Sequence, residues 1–269
     1  MKQLKNKKFL LKKLFIVLFF IAIASCEKNS DFLFDKAEKY YKANQYVEAI
    51  LTYTNVITGD NESLRQKAYY RIALIHYINL KNFNKAIEIF EIYLKKYPDG
   101  KKADKVLKAL GDIYSNHYKK YDYAIGEYQK LIDNYPKSEL VLEAMVNTGK
   151  CYFKLNNFYQ AIVEFKKVKK IFPKSELNSE IDLEIAASHN LLGNQQEAIN
   201  LYNSIITDNV KKPAIVILAK YQLAAIYEET EQLDLALKLY KTIQFTYPNP
   251  AIIKLKIDRV NYRRSIQKR

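Results

Sequence analysis

The sequence predicts an all-α solenoid of about six helical hairpins, closed by a C-terminal capping helix. Three observations lead there. Alanine recurs at 49, 86, 124, 161, 198 and 236, at spacings of 37, 38, 37, 37 and 38 residues. A period of that length marks stacked supersecondary units. An aromatic residue stands four positions after every one of these alanines: Tyr53, Phe90, Tyr128, Phe165, Tyr202 and Tyr240. Finally, glycine and proline number only six each in 269 residues, too few for the tight turns of an all-β fold. A single core usually stops growing near this length, whereas an array of small units has no such ceiling.

The first element is an address. Lys2, Lys5, Lys7, Lys8, Lys12 and Lys13 precede an eleven-residue apolar run from Leu14 to Ala24, and a polar stretch begins at Glu27. Charge, apolar core and small residues in that order form a secretory signal. Eleven helical residues span about 16 Å, short of the roughly 30 Å hydrocarbon core of a bilayer, which argues against a permanent transmembrane helix. Residues 1–25 are therefore expected to be a signal peptide, 26–31 a short tether, 32–249 the solenoid and 250–269 a basic capping helix.

Ile23, Ala24, Ser25 and Cys26 resemble the lipobox of bacterial lipoproteins. That resemblance implies that the Cys26 sulfur accepts diacylglycerol and that cleavage makes Cys26 the acylated N-terminus, carrying chains such as palmitate. A thiol suits this step because the thiolate is strongly nucleophilic. At about 0.8 kcal/mol per buried CH₂, two or three acyl chains hold a protein on a membrane essentially permanently. The short tether then keeps the folded part close to the headgroups.

Within the solenoid, proline follows four of the alanines by twelve residues, at Pro98, Pro136, Pro173 and Pro248, each preceded by Tyr or Phe. Proline lacks an amide proton and disfavours helical geometry in the residue before it, so each should end a helix. In the fourth unit Met145, Gly149, Tyr152 and Leu155 share one helical face, and Ala161, Phe165, Val168 and Phe172 share another. The polar turn at Asn156 and Asn157 joins the two helices, and Gly149 and Ala161 should meet where they cross. Asn249 and Pro250 read as cap and first turn of a last helix that buries Ile253, Ile257 and Val260.

The recurring small residue, aromatic, alanine, aromatic and closing proline resemble the tetratricopeptide repeat family over roughly residues 32–249. Three departures are visible. One extra residue lies near Tyr118 to Tyr121, His189 stands where an aromatic is usual, and the first and fifth units lack the closing proline.

No glycine-rich phosphate loop, paired-cysteine zinc spacing or GxSxG turn is present, so no catalytic residue, metal site or cofactor is expected. His76, His117 and His189 fall in three different repeats, too far apart to share a metal. Cys151 reads as core. Lys and Arg total 44 against 29 Asp and Glu, a formal charge of +15, and loss of the six leader lysines leaves +9. That excess is spread along the chain without a nucleic-acid motif, which argues against nucleic acid as a partner. A small-molecule substrate is not expected either. The basic tail of Lys254, Lys256, Arg259, Arg263, Arg264, Lys268 and Arg269 should mainly solvate the capping helix.

The resemblance implies a superhelix whose first helices line a concave, partner-binding face. Arg71, Asn79, Lys108, Asn116, Asn147, Lys150 and Asn190 are the polar first-helix residues expected in that groove. Tyr97 to Gly100, Tyr135 to Ser138 and Phe172 to Ser175 are similar to segments of repeat lipoproteins of the bacterial envelope. The expected function is a lipid-anchored protein-interaction scaffold at the outer membrane, facing the periplasm or the cell surface. Within it, help with β-barrel assembly, as in BamD-like lipoproteins, is the leading role. An adaptor for cell-wall or division machinery, like the periplasmic repeat protein of the Tol-Pal system, is the alternative.

Overall fold

The computed structural model describes residues 30–208 and 212–267, and every regular element among them is a helix. The expected signal peptide and Cys26 lie outside these residues. The described chain falls into two compact units, one ending at Ile113 and one beginning at Tyr114. The first contains α1 (residues 30–42), α2 (Tyr46–Ile57), α3 (Glu62–Leu74), α4 (Phe83–Lys96) and α5 (Ala103–Asp112). The second contains α6 (Tyr121–Asn134), α7 (Val141–Lys154), α8 (Phe158–Ile171), α9 (Asn178–Leu191), α10 (Gln195–Asp208), α11 (Pro213–Glu229), α12 (Leu233–Ile243) and α13 (Pro250–Gln267). Within each unit consecutive helices pack on one another. Ser30 and Asp31, assigned to the tether on sequence, are already helical.

All six periodic alanines are fully buried, and the six aromatics that follow them are at most 1% exposed. A second small residue precedes each alanine on the partner helix: Ala37, Ala73, Gly111, Gly149, Ala186 and Ala224, all buried. Within each unit, small side chains on both helices of a hairpin let the backbones approach, and the aromatic fills the space beside the approach. At Gly149 the contact differs from the expected one. A Cβ there would lie 2.6 Å from Cε1 of Phe165, so the ring of Phe165 itself occupies the notch. Tyr152 is only half-buried and Leu155 is exposed, while Ala144, Thr148 and Cys151 are buried. The reason is that α7 packs against both α6 and α8, so its buried stripe is wider than one face and turns away from the helix end.

Each hairpin turn places one residue in the left-handed region, five positions before the alanine: Asn44, Lys81, Lys119, Asn156, Gly193 and Glu231, with φ between 54° and 80°. Around it the chain closes by a backbone hydrogen bond back into the first helix, Gln45 to Tyr40, Asn157 to Tyr152, Asn194 to His189 and Gln232 to Tyr227. This is the closure of a Schellman-type C-cap. In the other two turns the bond reaches one residue further, Asn82 to His76 and Lys120 to Tyr114. Those are the two hairpins in which the small residue precedes the alanine by thirteen residues instead of twelve. The extra residue is absorbed in π-helical turns at Ile75–Asn79 and Ile113–Tyr118, the usual way a helix accommodates an insertion.

Helix ends follow the prolines in three cases. Tyr97, Tyr135 and Phe172 leave helical geometry with φ of −135°, −128° and −121°, just before Pro98, Pro136 and Pro173. The fourth differs, since α12 stops at Ile243 and residues 244–246 form a separate turn ahead of Pro248. Asn61, Asn82 and Asn157 cap α3, α4 and α8 through their side-chain oxygens.

Two stability outcomes follow. Gly149→Leu should cost about 1–3 kcal/mol by overpacking, and Phe165→Leu in the same chain should recover part of that loss, measured by urea unfolding. Lys119→Gly should stabilise by roughly 0.5–1 kcal/mol, whereas Gly193→Val should destabilise by about 1–2 kcal/mol, because only glycine adopts the left-handed region without steric cost.

Candidate functional site

The residues expected in the groove have different fates. Arg71 is held by Glu38, with Nε 2.7 Å from Oε1 and Nη2 3.1 Å from Oε2, and it lies over the Tyr41 ring. Lys108 pairs with Asp112 at 2.8 Å one helical turn away. Asn79 donates to the Tyr46 hydroxyl at 3.0 Å. Asn116 is exposed within a π-helical turn, and Asn190 is half-buried near the end of α9. Only Asn147 and Lys150 are brought together at one cavity.

That cavity, of about 630 Å³, lies in the second unit along the successive first helices α7, α9 and α11. Its floor is apolar: Val146 and Ile181 are buried, while Leu177 and Leu218 remain 37% and 39% exposed. Its rim carries Glu139, Glu143, Glu180 and Glu184 against the single base Lys150. Packing sets the arrangement. Glu139 stands in the turn just before α7 and Glu143 in its first turn, Glu180 lies in the first turn of α9 and Glu184 one turn further on, and the two helices are neighbours. Sequence reasoning sought amides and bases here and missed the carboxylates, although the four-residue spacing of each pair was readable.

Burial pushes the Glu184 carboxyl above its ordinary value of 4.5, with Lys150 and Lys154 opposing. Burial also raises the Tyr202 phenol, and the nearby Glu184 carboxylate raises it further. Lys212 at the start of α11 stands 4.0 Å from Glu180, too distant for a strong pair.

A second polar cluster fixes α13. Glu228, 2% exposed, accepts from the Tyr240 hydroxyl at 3.0 Å and from Arg259, with Lys256 at 3.5 Å and Arg263 at 3.6 Å. Arg263 also pairs with Glu231, and Arg264 with Asp234 at 2.5 Å. Four bases of the tail are thus turned onto acids of the preceding hairpin. The same chemistry recurs in the first unit, where the buried Tyr53 hydroxyl donates to Glu38 at 2.6 Å beside Arg71.

Burial lowers the imidazole pKa of His76 and of His189. Among the described residues no three His, Cys, Asp or Glu side chains converge as a metal site. Cys151 is 3% exposed.

The geometry agrees with what comparison finds. The family profile described as Tetratricopeptide repeat matches residues 67–100, 109–138 and 143–175. Those three segments carry the tetratricopeptide repeat pattern. No curated protein is significantly similar in sequence. Among solved structures, PilW, described as a widely conserved type IV pilus biogenesis factor, is similar with a TM-score of 0.57 at 17% identity, over 85% of this chain and 98% of that one. A tetratricopeptide repeat protein from Parabacteroides merdae is similar with a TM-score of 0.55 at 15% identity, over 87% and 99%. A MamA protein gives 0.54 at 17% identity, over 68% and 93%. At these identities the likeness shows the fold: an all-α array of helical hairpins of tetratricopeptide type. Arrays of this type act as protein-interaction scaffolds.

Glu228→Leu should strip protection from α13 first. It leaves three cations and the Tyr240 hydroxyl without their buried acceptor, and amide exchange over 253–260 should report a loss of about 2–4 kcal/mol. Glu184→Gln should act through pH. A carboxyl whose pKa is raised on folding contributes stability that is complete below the unfolded value and is lost as pH rises through the folded one. The variant should therefore be more stable than the parent at neutral pH and equal to it near about pH 3, as read from thermal unfolding across that range.

Proposed function

We propose that the chain is a lipid-anchored scaffold of the bacterial envelope that holds partner proteins along α7, α9 and α11 and assists the assembly of outer-membrane β-barrel proteins. The groove is the observation that carries the binding part. It offers apolar side chains that remain open and charged groups at its margin, arranged for recognition with no converging nucleophile and base. The envelope part rests on the leader and on Ile23, Ala24, Ser25 and Cys26, which supply export and an acyl attachment point. An assembly role agrees with the likeness to PilW, a pilus biogenesis factor.

Cys26→Ser should move the protein from the membrane fraction to the soluble fraction after osmotic release. Retention in the membrane would remove the lipid from this reading. Depletion should lower the amounts of outer-membrane barrel proteins, measured by quantitative proteomics, while inner-membrane proteins stay constant. Unchanged barrel levels together with septal localisation and recovery of peptidoglycan enzymes would replace the assembly role with the cell-wall adaptor.

A further inference from the structure

We propose that the groove along α7, α9 and α11 selects a cationic segment of its partner that bears apolar side chains. The apolar groups would seat on the open floor and the Lys or Arg heads against the four rim glutamates. This rests on the scaffold reading and adds the chemistry of the ligand to it.

The first argument is charge. The chain carries 44 basic against 29 acidic residues, yet the margin of this groove holds four carboxylates and one lysine. A local reversal of sign at a concave apolar surface concentrates the field where it steers an oppositely charged partner. The bases near the rim reduce this excess without reversing it: Lys212 stands 4.0 Å from the half-exposed Glu180, and Lys150 and Lys154 oppose but do not overcome the rise that burial imposes on Glu184. The same field disfavours anionic occupants, so an anionic lipid headgroup, a nucleic acid or an acidic peptide is repelled.

The second argument is shape. A volume of about 630 Å³ lies within the range of specific ligand pockets. It is walled by three helices of one packed unit, which makes it preformed. Leu177 and Leu218 keep more than a third of their surface open, whereas Val146 and Ile181 beneath them are already covered. Such a step from open to covered apolar groups receives inserted aliphatic side chains. A purely polar cationic segment would leave that floor wet.

The test uses the full chain in a nonionic detergent and three fluorescent peptides read by anisotropy. One alternates Lys and Leu at helical period, a second has Glu in place of Lys, and a third has Ser in place of Leu. The Lys and Leu peptide should bind about tenfold or more tightly than either other peptide, and its affinity should fall as salt rises. Glu139→Lys with Glu180→Lys, both exposed positions, should transfer the preference to the Glu peptide. Leu218→Ser should abolish the advantage of Leu over Ser. Circular dichroism of each variant confirms that the helices persist. Equal binding of the Lys and Glu peptides, or no change on charge reversal in a folded variant, overturns the inference. A photocrosslinker at position 218 in cells separates it from the scaffold reading. Crosslinks to an acidic or neutral segment of an identified protein sink the cationic ligand and leave the scaffold, whereas no protein crosslink sinks both.

Discussion

Everything in this chain depends on one contact, the close approach of two helices through paired small residues with an aromatic ring wedged beside it. At Gly149 the ring of Phe165 stands where a Cβ would be, and in the other hairpins a buried alanine or glycine of the first helix is matched by a fully buried alanine of the second. Interior packing at crystal-like density makes such a contact intolerant of a single added carbon. The tolerance lies elsewhere, in the turn. Two hairpins carry one residue more than the others, and both place it in a π-helical turn between crossing and turn. The crossing is preserved because the insertion is absorbed within the helix between crossing and turn, where Ile75 and Ile113 still remain fully buried.

The ring position is Tyr in four units and Phe in two, for a physical reason. Tyrosine appears where the structure offers its hydroxyl a polar neighbour: Glu38 for Tyr53, Ser115 for Tyr128, Glu228 for Tyr240, and the Glu184 carboxylate near Tyr202. A buried hydroxyl without a partner is costly, so phenylalanine at 90 and 165 is the apolar solution for the same volume. The carboxylates that serve these hydroxyls also gather bases. Glu38 with Arg71, and Glu228 with Arg259, each tie a first helix to the first helix that follows it.

This explains what could be read in advance and what could not. The hairpins, the buried alanines and the rings follow from periodicity, because each unit repeats the same local problem and period alone locates its solution. Left-handed turn residues were less legible, since only Gly193 and the two asparagines advertise them, while Lys81, Lys119 and Glu231 are ordinary polar residues forced there by closure of the turn. Groove chemistry was the least legible. Arg71 looks like a binding residue until Glu38, 33 residues earlier, is found beside it. No local pattern predicts that pairing, because it depends on how successive hairpins stack.

The distribution of charge ties these observations to binding. The bases outnumber the acids, and the acids are not spread evenly. Some are consumed inside, as in the seam where Lys256, Arg259, Arg263 and Arg264 meet Glu228, Glu231 and Asp234. That seam accounts for much of the basic run in the last helix as a docking device, since such a helix can be held to the array by charge as well as by Ile253, Ile257 and Val260. The glutamates at the starts of α7 and α9 are used differently. Glu143 and Glu180 lie in the N-terminal turns of α7 and α9, where a carboxylate is stabilised by the peptide dipoles, so acids are favoured at this margin of the groove. Acids committed to the seam hold the last helix in place, whereas acids at helix starts around an open apolar floor are suited to a partner that brings its own positive charge.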